Sequence, residues 1–552
     1  MTTRLLHPNA ARDSRFKAMA ADAYRAGHWV NTTLTDALKQ AARETPDRVL
    51  LIEGDTRIDC ATLYQQASHL AQALLARAPA GSVVSFMLPN WHEAATIYLA
   101  STLAGMVANP ILPSLREREV DFILKDAGSR FLFLPARFRN FDYRAMADQL
   151  LEQRNEQTKP APAIVVLRGD AGRHTAYQQL MDSPQTSTNL PALNPDSVRM
   201  LMYTSGTTGR AKGVLHSHNT LHALIRQLGE HWHIAPGDRF LVPSPISHIG
   251  GSIYAFECPL LLGSSAVLME NWQPEAAVEL IDAQHCTHMA GATPFLEGLL
   301  TAAKQNNTRL ESLKVFICGG AAVPPQLIRD AAEYLPNASV TRVYGSTEVP
   351  VTTVGAPLPE ELDFAADTDG RAGIATVKLC EHTAAQQDEG EILARGAQML
   401  LGYLHVEDDD SSFDKEGYFR TGDIGRLIEG SGTRYLQVTG RAKDIIIRNG
   451  ENISPKELED LLLSHPNISD IAIVGRPHKK TGERVCAVLV PTKTPGPDIK
   501  ELFNFLVERG VAKFKAPEQV EYWEALPRNA AGKMLKHEIR ASLIAAAVKS
   551  DP

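Results

Sequence analysis

The sequence lacks the cysteine density and spacing of a disulfide-stabilised protein. Its 552 residues include only six cysteines, which lie far apart and form no CxxC pair: Cys60, Cys258, Cys286, Cys318, Cys380 and Cys486. Small secreted domains held by disulfides have a much higher cysteine density. We therefore expect reduced, mostly buried thiols in a cytoplasmic protein.

The chain also lacks a basic surface charge, a secretory leader and a clear membrane span. Its formal net charge is −8, so no overall field attracts nucleic acid, and we expect no nucleic-acid partner. The N-terminal 16 residues include Asp13 and no apolar core, which argues against a secretory signal. Residues 94–115 are uncharged, but Pro110 and Pro113 interrupt them. We expect a buried helix followed by a strand there, not a transmembrane segment.

The length and the hydrophobic pattern predict at least two domains. A chain of 552 residues exceeds the size of a single hydrophobic core. Short β-branched runs alternate with longer Ala- and Leu-rich stretches, which is typical of α/β layers with mainly parallel sheets. The pattern restarts near residue 440. The sequence thus predicts an α/β protein with a large N-terminal domain of layered sheets and helices, residues 1–440, and a smaller α+β domain, residues 441–552.

A segment rich in glycine and hydroxyl groups follows strand-like residues 199–203. It reads Thr204-Ser205-Gly206-Thr207-Thr208-Gly209-Arg210-Ala211-Lys212-Gly213. Its glycines let backbone N–H groups approach an anion, and its hydroxyls and two cations suit a polyphosphate. It is not a Walker A loop, because glycine rather than Ser or Thr follows Lys212. By itself the segment could equally be a flexible turn.

Four further segments turn this weak indication into a resemblance. They are Val343-Tyr344-Gly345-Ser346-Thr347-Glu348, Gly417-Tyr418-Phe419-Arg420-Thr421-Gly422-Asp423, Gly440-Arg441-Ala442-Lys443-Asp444 and Pro527-Arg528-Asn529-Ala530-Ala531-Gly532-Lys533. In this order, the five segments closely resemble the motifs of the acyl-adenylate-forming (ANL) superfamily, which contains acyl-CoA synthetases, luciferases and the adenylation domains of peptide synthetases. Asn529 and Ala530 depart from the Thr and Ser that are usual before the glycine and lysine.

The resemblance implies a site for ATP and Mg²⁺. The implied ATP/AMP-binding residues are Thr204, Ser205, Gly206, Thr207, Thr208, Gly209, Gly320, Ala321, Tyr344, Gly345, Asp423 and Arg441. The implied catalytic residues are Lys212, Thr347, Glu348 and Lys533. Glu348 would bind Mg²⁺, a role that suits a hard carboxylate. Lys533 would reach the carboxylate and phosphate oxygens during adenylation.

The resemblance also implies an acyl pocket and a mobile C-terminal domain. His248, Gly250 and Gly319 would line or gate the pocket. Lys443 takes the position of the hinge, and Gly450 lies in the loop that would enter the active site from the CoA side. A rotation about Lys443 between the two half-reactions follows from this correspondence.

The implied activity is that of an ATP-dependent acid–CoA ligase. A carboxylic acid and ATP would form acyl-AMP and pyrophosphate, and the thiol of CoA would then displace AMP. Residues 88–93 and 138–143 resemble bacterial cyclohexanecarboxylate–CoA ligases and related medium-chain acyl-CoA synthetases. The predicted substrate is therefore a medium-chain or alicyclic acid. An aromatic or steroid-derived acid stays an alternative, because these two segments are distant from the pocket motifs, and a homodimer is left open.

Two interpretations from other classes compete with this one. A non-catalytic nucleotide-binding protein would be expected to have lost a charged motif residue, yet all five are present: Lys212, Glu348, Asp423, Arg441 and Lys533. Paired histidines such as His216 and His218 could suggest zinc, but their spacings match no recognised pattern. The acidic run at residues 407–410 is predicted to be a solvated loop.

Overall fold

The computed structural model describes residues 10–152, 161–183, 189–204, 210–320, 323–381, 389–409, 411–430, 432–448, 451–478, 481–509, 511, 513–529 and 532–550. Within these ranges no helix is long and apolar enough to cross a membrane. The uncharged stretch that begins at Ala94 forms a buried helix, His92–Leu103, and a buried strand, Val107–Pro110. The expectation of a helix followed by a strand is confirmed.

The first sheet carries the predicted α/β character. Its strands, in spatial order, are Ser339–Val343, Val315–Gly319, His288–Gly291, Arg239–Val242, Ser265–Leu268, Val49–Glu53 and Thr56–Asp59. All neighbours pair in parallel except the last two, which form an antiparallel hairpin. Parallel pairing requires long crossovers, which the intervening helices supply.

The second sheet is parallel over most of its width. Its strands are Gly402–Tyr403, Lys212–Ser217, Val198–Thr204, Val107–Pro110, Val83–Phe86, Ser129–Pro135, Ala163–Leu167 and Thr175–Ala176. Two antiparallel pairings at one edge place Lys212–Ser217 beside Val198–Thr204 and Gly402–Tyr403 beside Lys212–Ser217. That edge therefore joins a segment near residue 400 to the glycine-rich segment.

A third sheet departs from the expectation of mainly parallel sheets. Its strands are Thr353–Gly355, Arg371–Ala372, Thr433–Arg441, Phe419–Gly430, Glu389–Arg395 and Thr376–Glu381, and all of their pairings are antiparallel. Antiparallel strands follow one another through short turns, so no Ala/Leu-rich crossover marks them in the sequence. A two-stranded hairpin, Arg137–Phe138 with Phe141–Asp142, lies apart from the three sheets.

The C-terminal part has a sheet of its own. Its strands are Glu451–Ile453, Ile446–Arg448, Gly482–Pro491 and Ile468–His478, and Gln519–Tyr522 adds to Gly482–Pro491 in parallel. Helices Pro455–Leu462 and Ile499–Glu508 contribute Leu458 and Leu502 to its core. Pro455 occupies the first helical turn, where its missing N–H costs no hydrogen bond. The predicted fold class is confirmed, whereas the boundary between residues 440 and 441 stays a prediction.

Helices cover the faces of the parallel sheets. Those of the N-terminal part are Ala10–Arg25, Leu34–Glu44, Cys60–Leu75, His92–Leu103, Glu117–Ala127, Tyr143–Glu152, Tyr177–Met181, His218–His231, Ile249–Ser252, Cys258–Leu261, Pro274–Gln284, Thr293–Gln305, Pro325–Tyr334 and Leu362–Asp367. A π-helical turn, Ile253–Glu257, links two of them, short 3-10 turns span Pro359–Glu361, Val406–Asp408, Ala442–Asp444 and Lys513–Lys515, and Lys536–Ser550 is the C-terminal helix.

The largest hydrophobic core lies between the two parallel sheets. It contains Phe240 and Val242 of the first sheet and Val84 and Phe86 of the second. Helix His92–Leu103 runs through this core with ten of its 12 residues buried. A helix that is apolar on all sides belongs inside a core of this kind.

An ion pair inside this core joins two backbone irregularities. The register of strand Val198–Thr204 shifts at Arg199, and Glu257 ends the π-helical turn. The Arg199 guanidinium donates to both carboxylate oxygens of Glu257 at 2.8 Å, and Tyr98 donates to the same carboxylate. The side chains of Arg199 and Glu257 are 3% and 1% exposed. Bulges and π-turns both redirect side chains, and here they direct two opposite charges toward each other.

Glu257→Gln should lower the stability of the N-terminal domain. The substitution leaves the Arg199 charge buried without its anion, which typically costs about 3–5 kcal/mol. Thermal and denaturant unfolding measure the change, and Glu360→Gln, at an exposed position, is the matched control. Equal stability of the two variants would contradict a paired charge at Arg199.

Candidate active site

The candidate site begins where two parallel strands of the first sheet end side by side. Gly319 pairs with Val343 in the last register position of strands Val315–Gly319 and Ser339–Val343. A Cβ atom on Gly319 would lie 2.8 Å from the Val343 carbonyl oxygen, so this close approach requires glycine. The next residue, Gly320, has a φ of 83°, which also favours glycine. Ligands of open α/β sheets bind at such carboxyl ends.

Tyr344, Asp423 and Arg441 form one contact group. The Tyr344 hydroxyl donates to Oδ2 of Asp423 at 2.7 Å, and Arg441 Nε lies 3.0 Å from Oδ1. Asp423 and Arg441 are register partners on neighbouring antiparallel strands. Burial and the Asp423 charge raise the pKa of Tyr344 well above its ordinary value, so its hydroxyl stays protonated. Strand pairing in the third sheet thus places Asp423 and Arg441 side by side, and Tyr344 contacts Asp423.

Glu348 lies at the edge of the second sheet. Its Oε1 accepts hydrogen bonds from the Tyr403 hydroxyl at 3.0 Å and from Thr204 Oγ1 at 3.4 Å. His216 Nε2 lies 2.8 Å from the Thr347 carbonyl oxygen and must therefore carry a proton. Burial lowers the pKa of His216 to about 4, so the ring is neutral. Contacts from three strands of the second sheet, through His216, Thr204 and Tyr403, therefore hold the loop around Glu348.

The prediction of a solvated acidic loop at residues 407–410 is wrong for two of its members. Arg210 Nη2 lies 2.6 Å from Asp408 Oδ2, and Lys212 Nζ lies 3.6 Å from Oδ1. Asp409 is 7% exposed and accepts a hydrogen bond from the Tyr403 N–H. Cations from distant segments lie next to both carboxylates: Arg210 and Lys212 of the glycine-rich segment beside Asp408, and Arg15 beside Asp409 at 3.4 Å. Asp410 lies outside the described residues.

Lys533 reaches this site from the C-terminal part. Burial, assisted by the positive charges of Arg441 and Lys443, lowers the pKa of Lys533 to about 8, whereas Asp423 opposes the shift. Its turn lies against the N-terminal domain, because a Cβ atom on Gly532 would lie 3.7 Å from the Cβ atom of Ala292. The structure therefore places Lys533 within the electrostatic reach of the Tyr344 group.

Asn529, the departure from the usual motif, closes the turn that presents Lys533. Its Oδ1 accepts a hydrogen bond from the Lys533 N–H at 2.9 Å, and its own N–H donates to the Lys533 carbonyl oxygen at 2.9 Å. A Ser or Thr hydroxyl could accept the same hydrogen bond. The departure thus preserves the local geometry.

His248 and Gly250 lie at the start of the segment that contains the π-helical turn. His248 Nε2 is buried and accepts or donates no hydrogen bond within the described part of the chain. Burial and the charge of Lys533 lower the pKa of His248. A Cβ atom on Gly250 would meet no atom within 4 Å, whereas one on Gly251 would overlap the Pro245 carbonyl oxygen. Gly250 faces open space, and Gly251 serves close packing.

The segment at residues 88–93 is closer to the pocket than we expected. The Asn90 amide group donates to the carbonyl oxygens of Val242 and Ser244 at 3.0 Å. Its Oδ1 accepts from the Ile246 N–H at 3.0 Å. The expectation that this segment is distant from the pocket motifs is wrong for Asn90, which holds the loop just before His248.

Some predicted residues cannot be placed, and some contributors were missed. Ser205, Gly206, Thr207, Thr208, Gly209, Ala321 and Gly450 lie outside the described residues. Gly345 and Lys443 are described, and Lys443 is exposed in a 3-10 turn. Sequence reasoning missed Tyr403, His216 and Asn90, because each acts through a contact between distant segments. One signal was available in the sequence: the acidic run after Tyr403 could have been matched with the cations Arg210 and Lys212. The two segments are neighbours only in the folded chain.

Comparison with known proteins identifies the family. The profile of the AMP-binding enzyme family matches residues 38–404, and that of the AMP-binding enzyme C-terminal domain matches residues 457–533. The chain belongs to the AMP-binding enzyme family. The predicted recognition is confirmed.

Individual relatives agree with this assignment. The chain is 32% identical over 540 residues to the medium-chain fatty-acid–CoA ligase of Escherichia coli (strain K12), covering 96% of this chain and 94% of that protein. It is 29% identical over 525 residues to a CoA ligase of Rhodococcus jostii (strain RHA1) for a methyl-dioxo-octahydro-indenyl propanoyl group, covering 92% and 98%. The structure of o-succinylbenzoate CoA synthetase from Bacillus subtilis, in complex with its acyl-adenylate intermediate, matches with a TM-score of 0.80 and 27% identity over 93% of this chain and 98% of that chain.

This AMP-binding enzyme is therefore an acyl-CoA synthetase that forms AMP, with ATP and CoA as co-substrates. The predicted enzyme class is confirmed, and the non-catalytic alternative is wrong. All three named relatives are CoA ligases or synthetases, and the Bacillus subtilis structure contains an acyl-adenylate intermediate.

The lowered pKa of Lys533 predicts the pH dependence of adenylate formation. The group carries its positive charge below about pH 8 and loses it above. The kcat/KM of acyl-AMP formation, which reports the free enzyme, should therefore fall as the pH rises through that value. Bound triphosphate should raise the pKa again, so kcat should fall at a higher pH than kcat/KM.

A pH profile of ATP–pyrophosphate exchange measures this effect, and Lys533→Arg is the control because arginine stays charged. A wild-type profile that stays flat up to the ordinary lysine range would contradict the prediction.

Proposed function

We propose that this AMP-binding enzyme is an ATP- and Mg²⁺-dependent acid–CoA ligase for a medium-chain or alicyclic carboxylic acid. The observation that carries the adenylation role is the half-buried Lys533 of the C-terminal domain, whose amine lies within electrostatic reach of Asp423 and Arg441. A lysine whose pKa is lowered beside the Tyr344 group supports a catalytic role.

Lys533 suits the first half-reaction because that reaction brings two anions together. A carboxylate is a poor acylating agent, since its leaving group would be oxide. Attack of the carboxylate oxygen on the α-phosphorus forms the mixed anhydride and releases pyrophosphate, and AMP then becomes a good leaving group. The protein must position the two anions and neutralise the charge that builds on the α-phosphate. The Lys533 ammonium can do both.

The nucleotide would lie across the groups described above. In this proposal the Tyr344 ring packs against adenine, and the Asp423 carboxylate accepts hydrogen bonds from the ribose hydroxyls, with Arg441 alongside. Thr204 and Lys212 face the phosphates. Gly345 lets the loop after Tyr344 fold tightly, because a Cβ atom there would lie 2.6 Å from the Val351 nitrogen.

The residues around Glu348 fit a Mg²⁺ ion. The carboxylate is a hard oxygen ligand at the site edge, and the Thr347 and Thr204 hydroxyls lie on neighbouring segments. When bound, the ion would neutralise phosphate charge. The chain's own contribution is to hold the Glu348 carboxylate in place.

The second half-reaction needs a different arrangement of the small domain. We propose that Lys443 is the hinge and that the loop containing Gly450 takes the place of Lys533 when CoA attacks the adenylate. Support comes from the exposure of Lys443 in a short turn between the third sheet and the C-terminal sheet. Cytoplasmic location and a homodimer stay open expectations from the sequence.

The choice of acid rests on the relatives and on open space at Gly250. The Escherichia coli relative is named for medium-chain fatty acids, and the Rhodococcus jostii relative for a bicyclic propanoyl group. A Cβ atom on Gly250 would meet no atom within 4 Å, so no side chain fills the space beside it. An aromatic or steroid-derived acid is the second candidate, and the bicyclic substrate of the second relative favours it.

Lys533→Ala should separate the two half-reactions. We expect acyl-AMP formation to fall by about 10²–10³, the usual loss for one preorganised charge-stabilising group. Thioester formation from supplied acyl-AMP and CoA should stay largely intact. Lys500→Ala, at an exposed position of the same domain, is the control. Equal loss of both steps would contradict this division of labour.

A panel of acids in ATP–pyrophosphate exchange tests the substrate class. Octanoate and cyclohexanecarboxylate should support exchange better than benzoate or a steroid-derived acid, and Gly250→Val should reduce exchange with the ring acid more than with the linear one, because the added methyl groups fill the open space. Gly250→Ala should give a smaller effect in the same direction. Exchange with an aromatic acid alone would overturn the proposed substrate.

A further inference from the structure

We propose that Tyr403 is a positioning residue that holds the Glu348 carboxylate for the divalent cation of the ATP complex. This inference rests on the proposed metal-binding role of Glu348. Neither the five motifs nor the implied catalytic set includes Tyr403. Its position follows from contacts that only the folded chain makes.

The backbone around Tyr403 joins the two segments that face the phosphates. The Leu400 N–H donates to the Glu348 carbonyl oxygen at 2.7 Å, and the Leu404 N–H donates to the Gly213 carbonyl oxygen at 2.7 Å. A Cβ atom on Gly213 would lie 3.1 Å from the Leu404 Cβ atom, so the strands approach closely because residue 213 is glycine. Tyr403 is thus held at a defined distance from both Glu348 and Lys212.

The hydroxyl of Tyr403 contacts two side chains, the Glu348 carboxylate and the Ser412 hydroxyl. Tyr403 is 4% exposed, and its hydroxyl donates to Glu348 Oε1 at 3.0 Å. Thr204 Oγ1 donates to the same oxygen at 3.4 Å. Within the described part of the chain, Oε2 of Glu348 has no hydrogen-bond donor. One carboxylate oxygen is therefore held by hydroxyls, and the other is available to a cation.

Tyr403 is itself held firmly. Its N–H donates to Asp409 Oδ1 at 2.8 Å, and Lys212 Nζ lies 4.9 Å from the centre of its ring. Asp408, the neighbour of Asp409, pairs with Lys212. Tyr403 therefore lies between Lys212 of the glycine-rich segment and the carboxylate of Glu348.

The hydrogen bond from Tyr403 restricts the rotation of a side chain with three rotatable bonds. A carboxylate that is already oriented loses less conformational freedom when it binds a metal ion. A hydrogen bond to a charged acceptor is stronger than one between neutral groups, and its loss should weaken cation binding about tenfold. The tyrosine contacts the carboxylate and not the reacting atoms, so its effect should be confined to the cation.

Tyr403→Phe removes the hydroxyl and keeps the ring. Binding of Mn²⁺ in the presence of α,β-methylene-ATP, followed by electron paramagnetic resonance, should weaken about tenfold, and the Mg²⁺ concentration for half-maximal acyl-AMP formation should rise by the same factor. Thioester formation from supplied acyl-AMP should be unchanged. Tyr435→Phe is the matched control, because Tyr435 is also buried and its hydroxyl donates to a carboxylate, that of Glu361, at 2.5 Å.

The outcomes separate this inference from the proposed function. Wild-type Mn²⁺ affinity in Tyr403→Phe, or equal loss of the thioester step, would overturn the positioning role. Glu348→Gln tests the metal site itself: if it retains wild-type Mn²⁺ affinity, the proposed role of Glu348 fails. If Glu348→Gln loses Mn²⁺ binding and Tyr403→Phe does not, only the role of Tyr403 fails.

Discussion

The ammonium group of Lys533, half-buried beside other cations, is the constraint around which the candidate site is arranged. Burial and the charges of Arg441 and Lys443 disfavour its charged form, and Asp423 offsets only part of that effect. An anion bound nearby would relieve the repulsion, because an opposite charge favours the protonated amine. In the proposed reaction the triphosphate supplies that anion, so nucleotide binding and the seating of the small domain should reinforce each other.

The charge of Lys533 also explains why the third sheet matters for the candidate site. Asp423 and Arg441 are register partners on strands Phe419–Gly430 and Thr433–Arg441. Strand pairing therefore places an anion beside the cations and orients it through the hydroxyl of Tyr344. A shift of one residue in register would turn the Asp423 side chain to the opposite face of the sheet. Antiparallel pairing, which the sequence pattern did not indicate, determines this part of the site.

Much of the fold could be predicted, because its signals are local. The parallel strands and crossover helices alternate along the chain, and the β-branched run Ala163–Leu167 forms one of these strands. The third sheet escaped prediction because its strands pair antiparallel, so no long Ala- and Leu-rich crossover helix marks them in the sequence. The acidic run was misjudged for a related reason: Asp408 pairs with Arg210, which lies some 200 residues earlier in the chain.

The sequence by itself determined the family and the enzyme class. Each of the five motifs could have a local structural reason, but their occurrence together in the family's order could not. The sequence also named Glu348, Asp423, Arg441 and Lys533. Only the tertiary structure decided how these residues are held: Tyr403 against Glu348, Asn90 against the loop before His248, and Lys533 half-buried beside Arg441 and Asp423. The physical reason is that hydrogen bonding and desolvation depend on distance in space. Segments hundreds of residues apart acquire that distance only when the sheets pair.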